Sequence, residues 1–152
     1  MAFFVAAIVF SVDRFTKIAA LKLLDPGESV KAIPGVLHIT LVLNDGAAFG
    51  LFKGRAVLFV FISLAVIISI AAYLFKNRRL DRMASIGLGL ILGGALGNLA
   101  DRITIGRVVD FLDFRVWPVF NIADSCITIG TVVIVFLLFL KNNDKRQIPK
   151  FR

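Results

Sequence analysis

AVLFVFISLAVIISIAAYLF, residues 56–75, holds no charged side chain. It has the roughly 20-residue length a helix needs to cross the hydrocarbon core of a bilayer. A spanning helix keeps its backbone hydrogen bonds inside the segment, which lipid requires. Three more apolar blocks flank it, over about 2–24, 83–100 and 122–140. The 152-residue chain is 59% hydrophobic, against about 45–50% for an ordinary soluble domain. The reading is a mainly α membrane protein, a bundle of four transmembrane helices forming one domain over 1–152. The first block is not read as a removable signal peptide, because Asp13, Arg14 and Lys17 interrupt it and no convincing cleavage site follows.

The formal charge of +8 invites a nucleic-acid reading, but the basic residues sit beside the spans. The link between blocks two and three carries Lys76, Arg78, Arg79 and Arg82 against Asp81. The tail carries Lys141, Lys145, Arg146, Lys150 and Arg152 against Asp144. The segments 25–55 and 101–121 are balanced in charge. Lys and Arg favour the cytoplasmic side. Both termini are therefore expected inside, the balanced loops outside, and nucleic acid is not an expected partner. Within the first outer loop, Val36-Leu37-His38-Ile39-Thr40-Leu41-Val42-Leu43 is rich in β-branched residues and partly alternating, which predicts a small extracytoplasmic sheet in that loop. Asp25-Pro26-Gly27 and Asn44-Asp45-Gly46 supply turns around it. In the third block Gly89, Gly93 and Gly97 are spaced by four, a small-residue face that lets helices approach closely.

Cys126 is the only cysteine and His38 the only histidine. Neither has a partner for a thiol catalyst or a metal site, so no cofactor is expected. The residues that could carry chemistry are carboxylates and their polar neighbours. Asp13 and Lys17 are four apart on one helix face, where pairing reduces the cost of charge in the membrane. Asn98, Asp101 and Arg102 form one polar face at the outer end of the third block. Asp110 is embedded in Val108-Val109 and Phe111-Leu112, and Asp124 begins the fourth block one turn after Asn121. Two neighbouring carboxylates that share a proton can take one from water and give one to a leaving amine. Spacing alone does not choose between Asp110 and Asp113. The bland competitors are helix capping for Asp124 and a surface-loop role for Asp110.

Taken together these motifs resemble signal peptidase II, the prolipoprotein signal peptidase family, over nearly the whole chain. Asp13-Arg14-Phe15-Thr16-Lys17 is similar to the family's first box, and Asn44-Asp45-Gly46-Ala47-Ala48-Phe49-Gly50 to the second. Gly93-Gly94-Ala95-Leu96-Gly97-Asn98-Leu99-Ala100-Asp101-Arg102 is similar to the third. Val108-Val109-Asp110-Phe111 and Phe120-Asn121-Ile122-Ala123-Asp124 are similar to the last two. The resemblance implies an aspartic endopeptidase of the bacterial inner membrane. It implies a cut that removes the signal peptide before a cysteine already carrying diacylglycerol. It implies lipid-modified prolipoproteins and membrane lipids as partners, and does not imply an oligomer. Asp110 and Asp124 match the family's catalytic pair. Asp13, Lys17, Asn44, Gly46, Asn98, Asp101, Arg102 and Asn121 match its supporting and substrate-positioning residues. Arg14 departs from the Gln usual at that position, which leaves the role of that side chain open. The alternative reading is a small proton-coupled transporter or channel, because intramembrane carboxylates also serve proton relays.

The charge pattern makes a direct prediction. In Asn77→Cys, the new thiol should resist a membrane-impermeant maleimide applied to intact cells and react once the membrane is opened. Labelling in intact cells would overturn the orientation.

Overall fold

The computed structural model describes residues 1–45, 56–77 and 79–146. Its elements run α1 (Ala2–Leu23), β1 (Ser29–Ile33), β2 (Leu37–Asn44), α2 (Ala56–Lys76), α3 (Arg82–Ile105), β3 (Val108–Asp113) and α4 (Ile122–Arg146). Three of these helices, α2, α3 and α4, contain segments long and apolar enough to cross a membrane. In α1, Asp13, Arg14, Lys17 and Lys22 dilute the apolar run. Phe4, Phe61, Phe136 and Leu138 point outward, which costs nothing where the surroundings are hydrocarbon rather than water.

The helix α3 is the spine, packed against α1, α2 and α4. Its glycines explain how. A Cβ on Gly89 would lie 2.6 Å from the Ala2 carbonyl oxygen, and one on Gly93 2.6 Å from that of Ala6. Both distances are forbidden, so only glycine lets α1 and α3 meet backbone to backbone. Gly130 on α4 does the same toward the Gly87 carbonyl oxygen, where a Cβ would lie 2.6 Å away. Close approach gains dispersion contact, which in lipid replaces the missing hydrophobic drive. At one end α3 starts with Asp81, whose carboxylate accepts the Ala84 N–H at 3.0 Å. At the other it stops at Gly106, which takes the left-handed conformation with φ 74°.

The sheet is antiparallel in the order β1-β2-β3. The sequence reading confines it to the first outer loop; the structure adds an edge strand from the second. Helix α3 also continues past residue 100 to Ile105, so the second loop is mostly strand and turn. The reason is hydrophobic: Leu41 on β2 and Val109 and Phe111 on β3 form a buried cluster with Ala20 of α1. That cluster seats the sheet on the end of the bundle. An extra residue in β2, between Ile39 and Val42, shifts the register and sets Val42 opposite Asp110.

If the α1–α3 contact needs glycine, Gly93→Val should destabilise the protein by about 1–3 kcal/mol. Ala65→Leu, on the exposed face of α2, should be near neutral. Thermal unfolding in detergent reads both; equal melting temperatures would refute the close-packing account.

Candidate active site

Each polar residue of the site is held by an element that its neighbours bury. Lys17 and Asp13 lie one turn apart on α1 and are both 0% exposed. The Lys17 ammonium donates to Asn98 Oδ1 at 2.9 Å. It also forms ion pairs with Asp13 Oδ2 and Asp101 Oδ2, each at 2.9 Å. Asp13 reaches across to α4, where Oδ1 accepts the Ala123 N–H at 2.9 Å. Gly97 makes room for this: a Cβ there would strike Asp13 Oδ2. Asp101 reaches to β3, where Oδ2 accepts the Val109 N–H at 3.1 Å. Its other oxygen pairs with the Arg14 guanidinium. Sequence reasoning left Arg14 without a role. Its partner lies 87 positions away, beyond any spacing argument.

Two asparagines carry this framework to the next pair of carboxylates. Asn98 Nδ2 donates to Asp124 Oδ1 at 2.7 Å. Asn121 caps α4: its Oδ1 accepts the Asp124 N–H at 2.9 Å. Its Nδ2 donates to Asp110 Oδ1 at 2.7 Å. Asn44, at the end of β2, donates to Asp110 Oδ2 at 2.9 Å. Asp110 and Asp124 line one cavity of about 350 Å³ with Asn44, Asn98 and Arg102. Arg102 lies over the Phe59 ring, 5.1 Å from its centroid. Phe59 and Trp117, which also line the cavity, were not singled out by the sequence reading; no spacing signal marks them. Gly46 lies outside the described residues.

Asp110 belongs to a strand rather than to a surface loop. Burial, and after it the charge of Asp124, push its carboxyl up to about 7, against the pull of the Asn44 and Asn121 hydrogen bonds and of Lys17. Because both its oxygens already accept amide protons, its own proton must use a remaining lone pair. Asp113 sits three residues further along the strand, and side chains at odd separation point to opposite faces. It accepts from Thr40 Oγ1 at 2.8 Å and from the Arg115 N–H at 2.8 Å. The Arg115 guanidinium pairs with it at 3.2 Å. Asp113 does not line the cavity. A pair of carboxylates in one hydrogen-bonded cavity, one of them holding a proton near neutrality, can perform acid–base hydrolysis.

The family model described as "Signal peptidase (SPase) II" matches residues 5–140. A lipoprotein signal peptidase of Pelotomaculum thermopropionicum is 45% identical over 143 residues, 94% of this chain and 93% of that one. One of Halothermothrix orenii is 45% identical over 139 residues, covering 91% and 95%. A bacterial membrane enzyme structure solved by the in meso method at 2.3 Å superposes with a TM-score of 0.89 at 32% identity, covering 99% of this chain and 94% of that one. These relatives give no support to a transporter or channel. With the family model matching nearly end to end, and relatives this similar over more than nine-tenths of their own length, the chain belongs to the signal peptidase II family and is a peptidase of the membrane.

Proposed function

We propose that the protein removes the signal peptide from diacylglyceryl-modified prolipoproteins, cutting before the lipidated cysteine, with Asp110 and Asp124 as the catalytic pair. The observation that carries this is their placement in one cavity, each fixed by an asparagine amide. Near neutral pH the pair holds one proton. Asp124 takes a proton from the attacking water as its oxygen bonds to the peptide carbonyl carbon. Asp110 gives its proton to the carbonyl oxygen, which becomes the second hydroxyl of the tetrahedral intermediate. The intermediate then collapses: the carbonyl reforms, the C–N bond breaks, and the proton gained by Asp124 goes to the leaving amine. The hydroxyl proton released on collapse returns to Asp110, so the pair ends with one proton as it began.

Asp13, Lys17, Asp101 and Asn121 act as positioning residues, and Asn44 and Asn98 orient the two carboxylates. Gly46 is assigned to the same group through its motif alone. Arg102 faces the cavity and suits a substrate carbonyl. The whole chain is one membrane-embedded peptidase domain, with α1 as a fourth span whose charges are neutralised internally. We place it in the bacterial inner membrane, with both termini cytoplasmic and the site near the outer leaflet, where a lipid-anchored substrate arrives. Its partners are these precursors and membrane lipids, without nucleic acid.

The test is a purified sample mixed with a diacylglyceryl-modified prolipoprotein and followed for the smaller lipoprotein band. Asp110→Asn and Asp124→Asn should each cost roughly 10²–10⁴-fold in rate, while Asp113→Asn keeps most of it. Since Asp110 loses its proton as pH rises through about 7, kcat/KM should fall on the alkaline side of that value. Folded single variants that cleave at the parent rate would refute the pair. Cleavage of unlipidated precursor at an equal rate would refute the substrate.

A further inference from the structure

At the end of the bundle opposite the active site, α2 and α4 both lie against α3 and leave a groove between them. Among the described residues, α2 makes its extensive contact with α3 and a ring contact to α1 through Phe75 and Phe3. The groove holds about 680 Å³, within the roughly 300–1,000 Å³ typical of small-molecule sites. Its walls are apolar, with Ile70, Leu88 and Leu137 among them, and its mouth carries Tyr73, Arg79 and Lys141. Ile70 and Leu88 pack on the buried cluster of Ala2, Leu74 and Leu92, so the groove has a built floor. Arg79 and Lys141 form no ion pair among the described residues. Among the described residues the one acid at the mouth is Asp81, whose carboxylate accepts the Ala84 N–H.

We infer that this groove binds one anionic glycerophospholipid, its phosphate between Arg79 and Lys141 and an acyl chain laid along Ile70, Leu88 and Leu137. A basic pocket between membrane helices recognises such headgroups through charge. Two cations against one described carboxylate leave the mouth positive, which favours an anionic lipid over a zwitterionic one. Apolar walls below them favour a lipid over a free phosphate. The bound lipid fills the groove between α2 and α4 and holds α2 against α3.

The test uses the purified full chain in neutral detergent, with phosphatidylglycerol and phosphatidylcholine as probes and native mass spectrometry as the readout. One phosphatidylglycerol should be retained per chain, in preference to phosphatidylcholine, and inorganic phosphate should not displace it. Removing both cations with Arg79→Gln and Lys141→Gln should weaken retention about 25-fold. Ser69→Trp, which fills the groove from α2 and leaves both cations in place, should also block it. Equal retention of the two lipids, unchanged affinity in the charge variant, or displacement by phosphate would each overturn the site.

Discussion

A lysine ammonium with no exposure to solvent is the constraint on which this structure depends. Left alone in an apolar bundle, Lys17 would cost several kcal/mol in lost hydration. It is surrounded instead by Asn98, Asp13 and Asp101, each at 2.9 Å. Each carboxylate then uses its other contacts to tie down an element: Asp13 holds the first turn of α4 through Ala123, and Asp101 holds β3 through Val109. Those two elements carry Asp124 and Asp110. One cation thus fixes the relative position of two carboxylates that it does not itself touch. The charges close as well: Lys17 and Arg14 stand against Asp13 and Asp101.

The asparagines convert this anchoring into direction. Lys17 can only donate, so it fixes Asn98 with its oxygen inward and its nitrogen toward Asp124. The Asp124 backbone N–H fixes Asn121 in the same sense, oxygen to the helix and nitrogen to Asp110. Both amides therefore present donors to Asp124 and Asp110. Aspartate at either position would present an acceptor and a second charge instead. The glycines of α3 serve the same end by letting α1 come close enough for Lys17 and Asp13 to reach.

Much of this was legible in the sequence because membranes restrict composition severely. A charge-free run at 56–75 and Gly at 89, 93 and 97 specify a span and a packing face without tertiary information. The pairing of Asp13 with Lys17 follows from helix periodicity. What was not legible depended on long-range contacts. Strand β3 hides in Val108-Val109-Asp110-Phe111, which does not alternate because the sheet buries both its faces. Without the strand, parity cannot separate Asp110 from Asp113. The apolar run stops at residue 100, where Asp101 and Arg102 look like a boundary, yet α3 continues to Ile105. They are instead polar groups turned inward to Lys17 and the cavity.

The proposed hydrolysis requires that Asp110 and Asp124 hold one proton between them and act as a unit. Isotope-edited infrared spectroscopy of the aspartate carboxyls in the purified protein tests it most directly. One protonated cavity carboxyl is expected just below neutrality, lost as pH rises through about 7 and absent in Asp110→Asn. A spectrum with both carboxyls already ionised on the acidic side of neutrality would contradict it.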